Sequence, residues 1–437
     1  MFVIPPGLLI NSNVNDIILP LDYFGIHLED FIAKPIKVWM NRALDIEPEC
    51  FGQLMNLANL PFIHSHVSQM ADGHKGYGMS IGGVIATKDV IIPNAVGKDV
   101  GCGMLAFMLT NLTLDDIMPR REDIVAEILK KIPVGFDHRK NPFRMKGYIM
   151  TKIKKEILER SAINGIGHPK KPEPPVFGKE KERIEYQTAT LGGGNHFIEI
   201  QKDEEGHPWI MIHSGSRNFG SRVCGYYDKI AADINDKYYS QVPRKWELAF
   251  IPREDPLFNY YWYDMQCALY FAYLNRLYMH FVIVEDVLPA IFGKRTGYTA
   301  PINIHHNYAS LENHFGKNVF VHRKGATQAK KGQTCIIPGS MGTNSYIGKG
   351  LGNKDSFESC SHGSGRALPR NKALKKFTKE QVLAYYKERD IVLGVKDLEK
   401  IAAECDWAYK DIKDVMKNQE DLVKIVHELT PVAVVKG

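Results

Sequence analysis

Hydrophobic and polar positions change their period several times along the chain. Helical spacing dominates around 42–58 and again over 120–165, with a loop near 133–144. Between them, residues 62–110 are rich in glycine and β-branched residues and are cut by DG, GG and PN turn signals, so they read as short strands in tight loops. Similar strand-and-loop blocks return at 190–222 and 300–366. The aromatic, apolar run 257–292 predicts a long helix packed on most sides. PKKPEPP at 169–175 predicts an exposed extended loop, because proline removes backbone donors. In the tail, Thr378 with Gln381 predicts a capping box opening a helix through VLAYYKERDIVLG. EDLVKIVHEL at 420–429 predicts a further amphipathic helix, and PVAVVKG a short closing strand. No repeat, low-complexity tract or long linker divides the chain. The expectation is an α+β fold: one large mixed α/β domain over 1–437, with a β-rich core, Gly-rich loops and surrounding helices. Residues 223–300 form a helical, insertion-like segment, and 370–437 a helical part ending in a strand.

Composition narrows this reading. Of 437 residues, 44% are hydrophobic and 24% charged, which excludes a disordered or collagen-like chain. The net charge of +6 is compatible with a nucleic-acid partner without requiring one. Seven scattered cysteines with no CxxC pair suit a reducing compartment. Pro5 and Pro6 interrupt the only stretch resembling a signal peptide. Asp264, Arg276, His280, Glu285 and Asp286 interrupt the most apolar stretch. The expectation is a cytoplasmic protein with no membrane partner.

Candidate chemistry gathers in Gly-rich loops: 72–83 with 93–104, 191–200 with 212–220, 302–309 with 322–327, and 338–346 with 361–366. Asp99 and Cys102 in GKDVGCG bring a carboxylate and a thiol into one tight turn. Cys102 alone reads equally as an inert buried thiol. With His196 in GNHF and His213 in HSGSR, it forms a mixed hard and soft donor set suited to Mn²⁺, Zn²⁺ or Fe²⁺. Each histidine alone is equally a hydrogen-bonded core residue. Neighbours on a strand face opposite ways, so only one of His305 and His306 is expected to be a ligand. His322-Arg323-Lys324 reads as a solvated basic turn or as a phosphate clamp. Ser340 and Ser345 in PGSMGTNSY suit a phosphate or nucleoside cradle. His362 in SHGSGR, with Arg366 beyond, is a candidate nucleophile, metal ligand or general base.

Taken together and in order, DxHxGYG…IGG, PNAVGxDxGCGM, GGGNHFIE, HSGSR, HHN, HRKGAT, PGSMGTxSY and HGxGR resemble the RtcB family of GTP- and Mn²⁺-dependent RNA ligases, from about residue 60 to the C-terminus. Departures are GKDVGCG, HGSGR and ECDWAYKD where the family usually has an apolar residue before the Asp, HGAGR and EAPxAYKD. The resemblance implies that Asp99 is a carboxylate ligand and that Cys102 bridges two Mn²⁺ ions. His196 then serves the first ion, and His213 and His306 the second. His362 would attack the GTP α-phosphate and carry GMP. Guanylate contacts fall on Asn195, His196, Phe197, Ile198 and Glu199, on His306 and Asn307, on Pro338, Gly339, Ser340, Met341 and Ser345, and on Gly363, Ser364 and Gly365. Tyr409 and Lys436 would flank the guanine. Arg217, Arg323, Lys324 and Arg366 are the candidates for RNA phosphates. The implied partners are GTP, RNA with a 3′-phosphate or 2′,3′-cyclic phosphate, RNA with a 5′-hydroxyl, and an activating protein factor. The same residues also admit a two-metal phosphoesterase, or a metal-stabilised RNA-binding protein without catalysis.

Overall fold

Two large β-sheets absorb the Gly-rich blocks, and a computed structural model describes them over residues 1–4, 33–40, 46–143, 147–164, 166, 169 and 174–437. One sheet runs, in spatial order, Phe2–Ile4, Ile36–Val38, Ile63–Tyr77, Met79–Thr87, Lys317–Lys324, Asn307–His314. The other runs Ile302–His305, Gly103–Met108, Pro208–Ser214, Phe197–Lys202, Val423–Lys436, Ser345–Gly350, Thr334–Ile337. Val392–Val395 adds to it, parallel to Val423–Lys436. The chain crosses from one sheet to the other at His306, the single residue between Ile302–His305 and Asn307–His314. Functional side chains collect at this seam.

Helices cover the sheets. Pro256–Val282 starts from an Asp255 cap and continues through a π-helical turn at Ile283–Val287 to Leu288–Phe292. By length and composition this run could cross a bilayer, but 72% of its most apolar window is buried in the protein. Its Met279 and Val282 share one core with Leu105, Ile198 and Val435 of the second sheet, so the helical segment is part of the single mixed α/β domain.

Several expected elements stand. Pro48–Ala58 is helical, while residues 41–45 lie outside the described set. Arg121–Lys131 and Tyr148–Asn164 are helices, and the Thr378–Gln381 capping box opens Lys379–Glu388. Others do not. Residues 420–429 are not a helix: Val423–Lys436 is one strand of 14 residues, hydrogen-bonded on both sides. Pairing with Ser345–Gly350 and Phe197–Lys202 overrides its helical spacing. The helix after Thr378 stops at Glu388, and its expected second half is the strand Val392–Val395. In PKKPEPP, residues 170–173 lie outside the described set, Pro169 and Pro174 are buried, and Pro175 begins a helix.

Candidate metal and nucleotide site

Three neighbouring strands deliver the candidate ligands to one end of the second sheet. Cys102 precedes Gly103–Met108, His196 precedes Phe197–Lys202, and His213 lies opposite Met104 and Phe197. Close approach demands glycine here: a Cβ on Gly103 would lie 2.0 Å from the Ile304 carbonyl, and one on Gly215 would lie 2.3 Å from Asp99 Oδ1.

Cys102 Sγ is 3.4 Å from His196 Nε2 and 3.2 Å from His213 Nε2, and Asp99 Oδ2 is 3.0 Å from His196 Nε2. The outer nitrogens fix the tautomers. Nδ1 of His196 donates to the Leu191 carbonyl and Nδ1 of His213 to the Asn195 carbonyl, so both Nε2 atoms carry lone pairs. Two such lone pairs, a carboxylate oxygen and a thiol thus converge with no proton to join them all. His306 stacks edge-on to His213 at 5.1 Å, and its buried Nδ1 has no hydrogen-bond partner among the described residues. These groups fit a divalent cation.

Electrostatics agree. Burial holds His213 and His306 neutral, with pKa values well below the usual imidazole range. Burial pushes Asp99 up, yet the neighbouring His196 ring and the Arg217 guanidinium prevail and hold it below its ordinary value. Burial, with Asp99 alongside, pushes the Cys102 thiol far up, so a cation is what would make it a thiolate.

Behind the candidate ligands stands Arg276, fully buried in the long helix. It donates to the carbonyls of Gly101 at 3.0 Å and Ser214 at 2.8 Å, and to Asn303 Oδ1 at 2.8 Å. One guanidinium therefore ties together the loop of Cys102, the strand of His213 and the strand leading to His306. His305 turns away from the cluster, with Nδ1 3.1 Å from the Gly101 carbonyl.

A cavity of about 560 Å³ opens in front of the cluster. His362 lies in its wall, its ring 4.7 Å from that of His306. Its Nδ1 is 2.5 Å from Asp72 Oδ2, which also accepts the His362 backbone N–H at 3.1 Å. With Nδ1 the donor, Nε2 keeps its lone pair. Of the expected nucleotide contacts, Asn195, Phe197, Glu199, His306 and Asn307 line the cavity. So do Pro338, Gly339, Ser340, Met341, Gly363, Ser364 and Gly365, together with Tyr409 and Lys436. Ile198 does not: alternation on its strand turns it into the hydrophobic core. Ser345 stands behind the cradle, its Oγ accepting from the Gly339 N–H at 3.1 Å.

At the far end Glu404 gathers cations: Lys436 Nζ at 3.4 Å, Arg366 Nη1 at 3.4 Å and Arg370 Nε at 2.8 Å, with the Tyr409 hydroxyl donating to it. Burial would raise Glu404, but these cations hold it down at about 2. Burial pushes Glu199 up to about 8, against the pull of Lys436.

The basic cluster needs correction. Arg323 and Lys324 are not in a solvated turn but on the strand Lys317–Lys324, buried. Arg323 is paired with Glu312 at 2.5 Å, and Lys324 donates to the carbonyls of Tyr77 and Asn94. Neither can reach an RNA phosphate. Glu312, His314 and Glu358 also gather closely enough for a cation, but Arg323 already neutralises Glu312. Arg217 stands at the start of the helix Asn218–Lys237 with a positive φ of 57° and donates to the Gly135 carbonyl at 2.6 Å. Arg366 does line the cavity, bound to Glu404. Sequence reading assigned no role to Asp72, Arg276 or Glu404. Asp72 stood inside the DxHxGYG motif, but the partners of the other two are far away in sequence.

The fold and the site define a class: a mixed α/β protein with a thiol–imidazole–carboxylate cluster at the floor of a histidine-walled cavity. The family model described as tRNA-splicing ligase RtcB matches residues 53–437. The RNA-splicing ligase RtcB of Escherichia coli K12 is 38% identical over 421 residues, covering 92% of this chain and 97% of that protein. The tRNA-splicing ligase RtcB of Methanococcus maripaludis is 32% identical over 476 residues, covering 96% of this chain and 97% of that protein. The chain belongs to the RtcB family.

Proposed function

We propose that this chain is an RNA ligase that joins a 3′-phosphate or 2′,3′-cyclic phosphate end to a 5′-hydroxyl end, using GTP. The observation that carries the reading is the Asp72–His362 hydrogen bond of 2.5 Å, which leaves Nε2 of His362 unprotonated in the wall of the cavity. Nε2 attacks the α-phosphorus of GTP, the N–P bond forms, and pyrophosphate leaves with the electrons of the broken P–O bond. Asp72 steadies the positive charge that develops on the ring. An oxygen of the RNA 3′-phosphate then attacks the same phosphorus and restores the imidazole. The 5′-hydroxyl oxygen attacks the activated 3′-phosphate, a phosphodiester forms, and GMP leaves. A cyclic end is first opened by water.

Asp99, Cys102, His196, His213 and His306 would hold two divalent ions, and the mixed donor set suits Mn²⁺. When bound, such ions neutralise phosphate charge. Lys436, Glu199 and Tyr409 offer donors and acceptors for the guanine. Lys75 and Arg370, both at the cavity, replace Arg323 and Lys324 as candidates for RNA phosphates.

The test is incubation with α-labelled GTP and Mn²⁺. Acid-labile label retained on the wild-type protein, lost in His362→Ala, and chased by RNA bearing a 3′-phosphate into a joined product is the expected result. Release of phosphate from RNA ends without label on protein would instead establish a phosphoesterase.

A further inference from the structure

A second cavity, of about 370 Å³, lies behind the first. Its walls are the long helix at Trp262–Leu269, the chain from Asn303 to Leu311, and Thr327 to Gln333. The two cavities share one segment, read from opposite sides: His306 and Asn307 line the first, His305 and Tyr308 the second. The volume falls in the range of small-ligand sites.

The chemistry of the walls is selective. Among the described residues no Lys, Arg, Asp or Glu lines this cavity, so none of them would hold a phosphate or another ion there. Three ring systems do line it: Trp262, His305 and Tyr308. Tyr308 is fixed from behind, where Arg323 lies 5.4 Å from its ring centroid. The buried arginine that resembles a phosphate clamp in sequence therefore stiffens an aromatic wall. Among the polar groups, the Asn303 and Gln328 amides are already bonded to protein. Two groups are not. Gln266, only 7% exposed, has no hydrogen-bond partner among the described residues. Thr327, 1% exposed, has a buried Oγ1 with no partner among the described residues. The buried Thr327 Oγ1, left unpaired, costs about 1–3 kcal/mol, and the Gln266 amide stands in the wall of the same cavity.

We infer that this cavity binds a neutral, planar nucleobase, stacked against the aromatic wall and read along one edge by the Gln266 carboxamide. A carboxamide presents one donor and one acceptor side by side, which matches the paired donor and acceptor on the edge of adenine. Stacking on aromatic rings is how sequence-tolerant sites hold bases. An aliphatic ligand would leave the amide unpaired, and a sugar would find too few free polar groups for its hydroxyls. The site does not depend on guanylate transfer at His362.

The probe is adenosine, which carries the base without a phosphate, titrated into the full chain by calorimetry and by ligand-observed saturation-transfer NMR. Saturable binding with the strongest transfer to the base protons is the expected result. Gln266→Leu should weaken it at least tenfold, and Thr327→Val should weaken it less. Neither variant should lower the melting temperature, because each removes an unpaired polar group. No saturable binding at millimolar adenosine, equal binding by glucose, or undiminished binding in Gln266→Leu would each overturn the inference. A second arm identifies the source of the base. Photocrosslinking of RNA carrying 4-thiouridine to Tyr308 would assign the site to the RNA strand, and nucleoside binding without crosslinking would assign it to a free nucleoside. His362→Ala protein should give the same titration, so failure of the ligase reading leaves this result unaffected.

Discussion

Asp72 Oδ2 accepts both the ring Nδ1–H and the backbone N–H of His362, although the two residues are 290 positions apart. A fully buried carboxylate thus fixes where the imidazole sits, which nitrogen carries the proton and where the loop enters the cavity. Asp72→Asn keeps the shape and an acceptor oxygen but removes the charge that opposes a developing imidazolium. A hydrogen bond to a charged group contributes about 1.5–3 kcal/mol, so guanylate transfer to His362 should slow by roughly tenfold to a hundredfold. Single-turnover labelling measures this, and metal content by mass spectrometry should stay at the wild-type value.

Arg323 supports structure rather than RNA. Removing one partner of a buried ion pair costs about 3–5 kcal/mol. Arg323→Met should therefore lower the urea midpoint sharply, since it strands Glu312, and should not slow RNA sealing selectively. A variant of normal stability with a pure sealing defect would restore the phosphate-clamp reading.

His280 is 1% exposed, and neither ring nitrogen has a hydrogen-bond partner among the described residues. Burial lowers its pKa to about 4. The folded value is depressed, so the unfolded chain takes up the proton first, near the ordinary value of about 6.5. The stability conferred by neutral His280 is present above pH 6.5 and is lost as the pH falls towards 4. His280→Leu should raise stability by about 1–3 kcal/mol, with the larger gain at pH 5 than at pH 8. Denaturant midpoints across this range test both the sign and the slope.

Lys436 is buried at the end of the central strand, with its ammonium between Glu404 and Glu199. Its backbone pairs with Phe197 and Val395. Deleting residues 436 and 437 would therefore disturb the sheet as well as the pocket. Lys436→Met separates the two, because Glu404 keeps Arg366 and Arg370. Guanylate transfer should lose its preference for GTP over ATP by at least tenfold, while the thermal midpoint changes little.

The loops of the candidate ligands were legible because their residue types are rare and their turns demand glycine. The alternation rule expected His305 and His306 to face opposite ways with one of them a ligand, and of the two only His306 lines the first cavity. The buried long helix was equally legible from its apolar, aromatic run. The final strand was not. Leu422, Val423, Val426 and Leu429 repeat at helical spacing, and only partners far away in sequence make the segment a strand. Arg323 misled for the same reason: nothing local announces that Glu312 lies across a hairpin. Arg276 and Glu404 were hidden in this way too. A charged residue inside an apolar helix signals an interruption until the carbonyls it serves are known.

Those carbonyls have a kinetic consequence. Segments that carry ligands on loops usually open by local unfolding, at a fraction of the global free energy. Here Gly101 and Ser214 are held by the guanidinium of a helix that forms part of the core, so the cluster cannot open without disturbing that helix. Backbone amides around Cys102 and His213 should exchange with deuterium only as slowly as the core does. An ion would then enter and leave through the mouth of the cavity, at a rate set by its own dehydration and not by fluctuations of the protein.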